Sequence, residues 1–134
     1  MTVFLDTNIL IDILTKRLPF YHDSYECYKS LILNRCKIAV STVTVADIMY
    51  ITRKNFSDSD QQRIEVLNFI KTMRIVNVNN SDLKYAFYSN FSDFEDALQS
   101  HCSKRIHAKY IITRNVKHYQ TSPVKALTPT DFLI

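Results

Sequence analysis

Four short segments, far apart in the chain, each set an acid or its amide beside an apolar run. They are Val3-Phe4-Leu5-Asp6-Thr7-Asn8, Val43-Thr44-Val45-Ala46-Asp47, Asp93-Phe94-Glu95-Asp96-Ala97 and Tyr110-Ile111-Ile112-Thr113-Arg114-Asn115. A carboxylate pressed against core-forming residues is costly to bury unless it is paired or bound to a cation. Several of them converging would make a site for a hard cation of the Mg²⁺ or Mn²⁺ kind.

Each candidate has a plainer reading beside the chemical one. Asp6 can be a metal ligand at a strand end, or an acid that favours the dipole of the helix that follows. Asp47 shares a helical stripe with Val43, Ala46, Tyr50 and Lys54, which predicts that it faces inward; pairing with an arginine is the alternative. Asp93 and Asp96, three apart, project from one face of a helix. Glu95 falls off that face and reads as the capping-box partner of Ser92. Asn115 offers only an amide oxygen, or else occupies an ordinary turn. His22, His101, His107 and His118 show no spacing typical of a metal site, and surface or core roles are expected of each. Asp12, Asp23, Asp58, Asp60 and Asp82 read as surface or cap residues.

Composition narrows the field. The chain has 134 residues, 46% of them apolar, which predicts one soluble domain over residues 1–134 with a real core. No apolar run approaches the roughly 18 residues of a membrane span, and the amino terminus does not read as a signal peptide. Three cysteines without close pairing argue against a zinc site or a disulfide framework, and so for a cytoplasmic protein. Glycine is absent, which removes the P-loop, the dinucleotide fingerprint and the nucleophile elbow together. Phosphate chemistry here must run through metals and side chains. The net charge is +4, and beyond Ser100 six Lys and Arg face a single acid, Asp131. An acidic centre beside a basic rim would suit a phosphodiester substrate.

The elements that must position these residues alternate. Strands are predicted at Val3 to Leu5, Lys37 to Val40, Arg74 to Val78 and Lys109 to Thr113, with a short edge strand at Val124 to Leu127. Helices are predicted from Ile9 to Lys16 (capped by Thr7 or Asn8), from Tyr21 to Asn34, through about Lys54 after a cap at Ser41 or Thr42, and from Ser59 to Met73 through a Ser59–Gln62 capping box. Others cover Asp82 to Asn90 and Ser92 to Lys104, with a last turn from Pro129 to Ile134. This order implies a parallel sheet covered on both faces, an α/β sandwich, whose ligands sit beyond the carboxyl ends of the strands. Asp6 and Asn115 each fall at that edge.

Taken together and in order, the four motifs resemble those of the PIN-domain family, which includes the VapC-type toxin ribonucleases. The resemblance covers nearly the whole chain: Asp6-Thr7-Asn8, Ser41 through Asp47, Asp93 through Ala97, and Thr113-Arg114-Asn115. It implies a three-layer α/β/α sandwich and an endoribonuclease dependent on Mg²⁺ or Mn²⁺ that hydrolyses RNA to leave a 5′-phosphate. By position, Asp6, Asp47 and Asp96 would be the catalytic acids, and Asp93 and Asn115 would join them as metal ligands. Arg114, Lys117 and Lys104 are the candidates for RNA backbone contacts. A cognate antitoxin and a homodimer are the partners such a protein would have, with no membrane. The chain departs from the family at Asp47, where many members have glutamate, and at Asn115, where many have aspartate. The loss of charge at Asn115 favours one rival, a PIN-like domain that binds RNA or protein with weak or no catalysis. A second rival, an aspartyl-phosphate enzyme or receiver using Asp6, fits poorly because Asn8 stands where a second acid is wanted.

Overall fold

A computed structural model describes residues 1–133. Five parallel strands, β1 (Thr2–Leu5), β2 (Lys37–Ser41), β3 (Arg74–Val76), β4 (Tyr110–Ile112) and β5 (Lys125–Leu127), form one sheet in the order β3-β2-β1-β4-β5. The helices α1 (Thr7–Thr15), α2 (Tyr21–Leu33), α3 (Thr42–Ile51), α4 (Ser59–Ile70), α5 (Asn80–Tyr88), α6 (Phe94–Arg105) and α7 (Pro129–Leu133) complete a three-layer α/β/α sandwich. The α7 reading ended at Ile134, which lies outside the described residues.

Side chains of successive strand residues point to opposite faces, so a strand covered on both sides must be apolar throughout. Along β1, Val3 and Leu5 enter a cluster with Ile9, Leu10, Leu31, Val40 and Ile48, while Phe4 joins Ala39, Cys102, Ile106 and Ile111 on the other face. Val3, Phe4 and Leu5 are fully buried, each stabilising the fold by about 1.5–3 kcal/mol. This two-sided packing fixes β1 and β4 side by side, with Val3 opposite Tyr110 and Leu5 opposite Ile112. Asp6 and Thr113 therefore leave the sheet together.

Several helix starts differ from the sequence reading by one or two residues. The cap of α1 is Asp6 itself rather than Thr7 or Asn8: its Oδ1 accepts the Thr7 N–H at 2.8 Å. Asp58, not Ser59, caps α4, and Asn79 forms a capping box with Asp82 ahead of α5. Asp93, not Ser92, caps α6 through its Oδ1 on the Asp96 N–H. Aspartate caps a helix as well as serine does, so a Ser in the neighbouring position was a false lead. The cap of α3 is Ser41, as expected. β3 stops at Val76 because the Val78 N–H turns to the Thr42 hydroxyl instead of a strand partner.

Without glycine, the left-handed backbone positions fall to Lys16, Arg35 and His107, at roughly 1–2 kcal/mol each. Lys16 closes α1 in this way, and Arg17 follows it.

Candidate metal and phosphodiester site

Beyond the carboxyl ends of the strands lies an open cleft of about 320 Å³. Asp6, Asp47, Asp93, Glu95, Asp96 and Asn115 line it, with Asn8, Arg17 and His118. The fold thus brings together the acids drawn from three motifs and the amide from the fourth.

Asp6 is buried at the floor. Its Oδ2 accepts the Thr113 hydroxyl at 2.7 Å, and its backbone N–H donates to Ile112 across the strand gap. Asn8 lies over it, with Nδ2 3.4 Å from Oδ2, while Asn8 Oδ1 accepts the Arg114 N–H. Burial raises the Asp6 pKa to about 6, helped by the charge of Asp96 and opposed by the Thr113 hydrogen bond. Asp96 is buried too, and for the same reason its pKa is raised. His118 Nδ1 lies 2.8 Å from one carboxylate oxygen, and the Tyr119 hydroxyl donates to the other. Tyr119 is itself held neutral by burial and by the charges of Asp6 and Asp96.

Glu95 corrects the sequence reading. With Asp93 as the cap, the third helical position is Asp96 rather than Glu95, so Glu95 has no box to close. Its side chain lines the cleft instead of turning back to Ser92. Burial pushes its pKa well above the glutamate range, reinforced by a hydrogen bond with Asp47 and by the charges of Asp47, Asp6 and Asp93. The stripe argument for Asp47 is also corrected. Ala46 and Tyr50 are exposed, and the inward face of α3 is Thr44 and Ile48. Asp47 is half-buried because it looks along the cleft, not into the core.

A buried chain of polar groups ties together the three helices that carry the acids. Thr7 of α1 meets the Thr44 hydroxyl of α3 at 2.8 Å, and Gln99 of α6 donates to Thr44 at 2.5 Å. Such a network fixes the relative placement of helix ends more tightly than apolar contacts alone.

The predicted backbone contacts fare differently. Arg114 donates from Nε to buried Asp12 at 2.8 Å and lies over the Phe20 ring at 3.9 Å, so its charge is committed inside the protein. Asp12, read as a surface or cap residue, is fully buried beneath Arg114, Ser24 and Arg17. Asp82 is likewise buried. Burial would raise its pKa, but hydrogen bonds from Arg105, Asn79, His101 and Cys102 hold it well below the carboxylate range. Two of the six carboxy-terminal cations are therefore structural. Lys104 sits in the last turn of α6, roughly 12–16 Å along the helix from its acids. Lys117 is exposed one residue before His118. The cation the sequence reading passed over is Arg17, which is exposed and lines the cleft. His118 was also missed; its only signal was its place one turn after the fourth motif.

The donor set suits a hard divalent ion. It is made of carboxylate oxygens and one amide oxygen, with no thiolate and with like charges crowded enough to retain protons. Among the described residues no three acidic, histidine or cysteine side chains close into a ligand cage. An open acidic rim is what Mg²⁺ requires, since it keeps several waters and takes few protein ligands.

The fold agrees with what similarity to known proteins shows. The chain matches the PIN domain over residues 2–117, and it belongs to that family. Ribonuclease VapC1 of Aquifex aeolicus (strain VF5) is 23% identical over 135 residues, covering 97% of this chain and 92% of the relative. Among solved structures, VapBC-1 from nontypeable Haemophilus influenzae superposes with a TM-score of 0.71 at 16% identity, over 97% of this chain and 99% of that one. A toxin-antitoxin complex from Klebsiella pneumoniae gives 0.69 at 22% identity, over 95% and 97%. Among the described residues no helix is long and apolar enough to cross a membrane.

Proposed function

We infer that this protein is an endoribonuclease that hydrolyses RNA phosphodiester bonds with Mg²⁺ or Mn²⁺, and that it is the toxin of a toxin-antitoxin pair. The observation that carries the reading is the meeting of Asp6, Asp47, Asp93, Glu95 and Asp96 in one cleft at the sheet's carboxyl edge. Membership of the PIN family, a relative named as a ribonuclease and a fold neighbour described as a toxin-antitoxin complex support it. The relationship to that complex is also why a cognate antitoxin is part of the proposal. The three cysteines are free thiols, which suits a reducing cytoplasm.

Asp6, Asp47, Glu95 and Asp96, with Asp93 and the Asn115 amide at the rim, would hold the ion. Bound there, it would supply Lewis acidity toward the phosphodiester and lower the pKa of water. The chain's own residues do the rest. Burial raises the pKa of Asp6 to about 6 and raises that of Asp96 as well, and a carboxylate of raised basicity is fit to accept a proton from the attacking water. His118 and Tyr119 orient Asp96, and Thr113 orients Asp6. Arg17 stands at the mouth, where a guanidinium can take a non-bridging phosphate oxygen.

The test is cleavage of RNA by the purified protein with and without Mn²⁺, beside Asp6→Asn and Asp96→Asn. Each substitution removes a charged ligand while keeping its shape. Manganese-dependent cleavage lost in both variants is the expected result. Equal cleavage by all three proteins marks a contaminant and sinks the reading. An inactive wild type that still binds RNA favours a non-catalytic binding domain, for which Asn115 would be the cause.

A further inference from the structure

Beside the acidic cleft, the corner between α5 and α6 carries three aromatic side chains that the fold does not bury. Phe87 is 73% exposed, Tyr88 84% and Phe94 43%. The Phe87 and Phe94 rings lie 4.9 Å apart at 57°, so each braces the other while leaving ring surface open. Packing does not demand them here, because α5 meets α6 through Asp82 and Ala86 on a different face. Phe94 stands between Asp93 and Glu95, which both line the cleft. The aromatic surface begins where the acids end. Tyr88 walls an adjoining open pocket of about 560 Å³ with Ser81, Lys84, Asn90 and Phe91.

Whatever occupies this corner must tolerate the acids next to it. A phosphate there would meet Asp93 and Glu95, whereas a nucleobase presents a π face and no charge, and stacking on an aromatic ring needs none. Beyond Tyr88, exposed Lys84 one helical turn away supplies a cation for the next phosphate. Base faces are available only where a strand is unpaired; in a duplex they are covered by their neighbours. Resting on the nuclease reading above, we propose that Phe87, Tyr88 and Phe94 form a stacking ledge for unpaired bases of an RNA strand whose scissile phosphate lies in the cleft. The ledge makes the enzyme select single-stranded segments.

The chain contains no tryptophan, which gives a direct test. Phe87→Trp in an Asp96→Asn background places one indole on the ledge of a protein that binds without cutting. An end-labelled single-stranded RNA of mixed sequence is titrated in, with anisotropy reporting binding and indole quenching reporting stacking. The two signals are expected to saturate together, and a blunt duplex of the same sequence should quench little. Phe87→Ala with Tyr88→Ala, both at exposed positions, should weaken single-strand binding roughly five- to a hundred-fold. Binding without quenching, or equal quenching by the duplex, overturns the ledge and leaves the nuclease reading standing. Absence of RNA binding by either signal overturns both. Unchanged RNA affinity with a shifted sedimentation coefficient in the double alanine variant overturns the ledge and assigns these rings to a protein interface.

Discussion

His118 Nδ1 lies 2.8 Å from Asp96 Oδ2, so an exposed histidine at the rim holds a buried carboxylate at the floor. With Tyr119 on the other oxygen, the Asp96 side chain is fixed from two sides. A residue that orients a metal ligand contributes about 10–100-fold to metal affinity or activity. His118→Ala is therefore expected to raise the Mn²⁺ concentration for half-maximal cleavage by about that factor while leaving the melting temperature of the metal-free protein nearly unchanged. Titrating cleavage against Mn²⁺ checks this. An unchanged midpoint would show that Tyr119 alone orients Asp96.

Crowded carboxylates leave a signature in the pH dependence of stability. The Asp6 pKa is about 6 in the folded protein against an ordinary 3.8. Between these values the folded state binds more protons than the unfolded one, so metal-free stability falls as pH rises through the window. Across that window the loss amounts to about 3 kcal/mol. The raised Glu95 extends the fall to higher pH. Metal binding needs the ionised forms, so stabilisation by Mn²⁺ should grow over the same range. Glu95→Gln removes one repelling charge and should make the metal-free protein more stable at neutral pH, flatten its upper pH dependence and reduce the Mn²⁺ response. Melts from about pH 5 to 8, with and without Mn²⁺, measure all three. A variant with the wild-type pH profile would place Glu95 outside the charge cluster.

The central strands were legible because strands buried on both faces must be nearly continuous apolar runs, as Val3-Phe4-Leu5, Ile38-Ala39-Val40 and Ile111-Ile112 are; their order in the sheet was not. The convergence of Asp6, Asp47, Asp96 and Asn115 was legible from the alternation of strands and helices, which puts ligands beyond the carboxyl ends of a parallel sheet. Rotation about helix axes was not legible. Ser92-x-x-Glu95 matches a capping box as well as Asp93 matches a cap, and the choice between them decides whether Glu95 closes a box or lines the cleft. Pairings across long stretches of chain were equally hidden. Asp12 and Arg114 are 102 residues apart, and nothing local marks them as partners.

That pair yields a prediction opposite to the sequence reading of Arg114. If Arg114 served RNA, removing it would weaken binding and leave stability alone. In the structure it neutralises a fully buried acid, and stripping one partner from such a pair costs about 3–5 kcal/mol. Arg114→Ala should thus lower stability by about 3 kcal/mol, and Asp12→Asn added to it should recover part of the loss by removing the stranded charge. Denaturant unfolding of the single and double variants decides. A stable Arg114→Ala protein with weakened RNA binding would restore the sequence reading.

Asn115 offers the sharpest test of how far the charge cluster reaches. It is exposed on the cleft wall, and its backbone is fixed by its N–H on the Thr113 hydroxyl and its carbonyl under the His118 N–H. Its amide makes no hydrogen bond to another described residue, so Asn115→Asp changes charge without breaking a contact. The added carboxylate would face Asp96, Asp93 and Glu95 around the cleft, and like charges raise one another's pKa when no cation is present. The metal-free variant should therefore be slightly less stable than the wild type. A second hard cation would be attracted more strongly, and binding to the folded state alone stabilises it in proportion to the logarithm of the gain in affinity. A ten-fold gain corresponds to about 1.4 kcal/mol at saturating metal, enough to outweigh the loss. Melts with and without Mn²⁺ should show a larger metal-induced shift in Asn115→Asp than in the wild type, together with a faster cleavage rate at limiting metal. Identical shifts in the two proteins would put position 115 beyond the ion's reach and return its amide to the role of a turn residue.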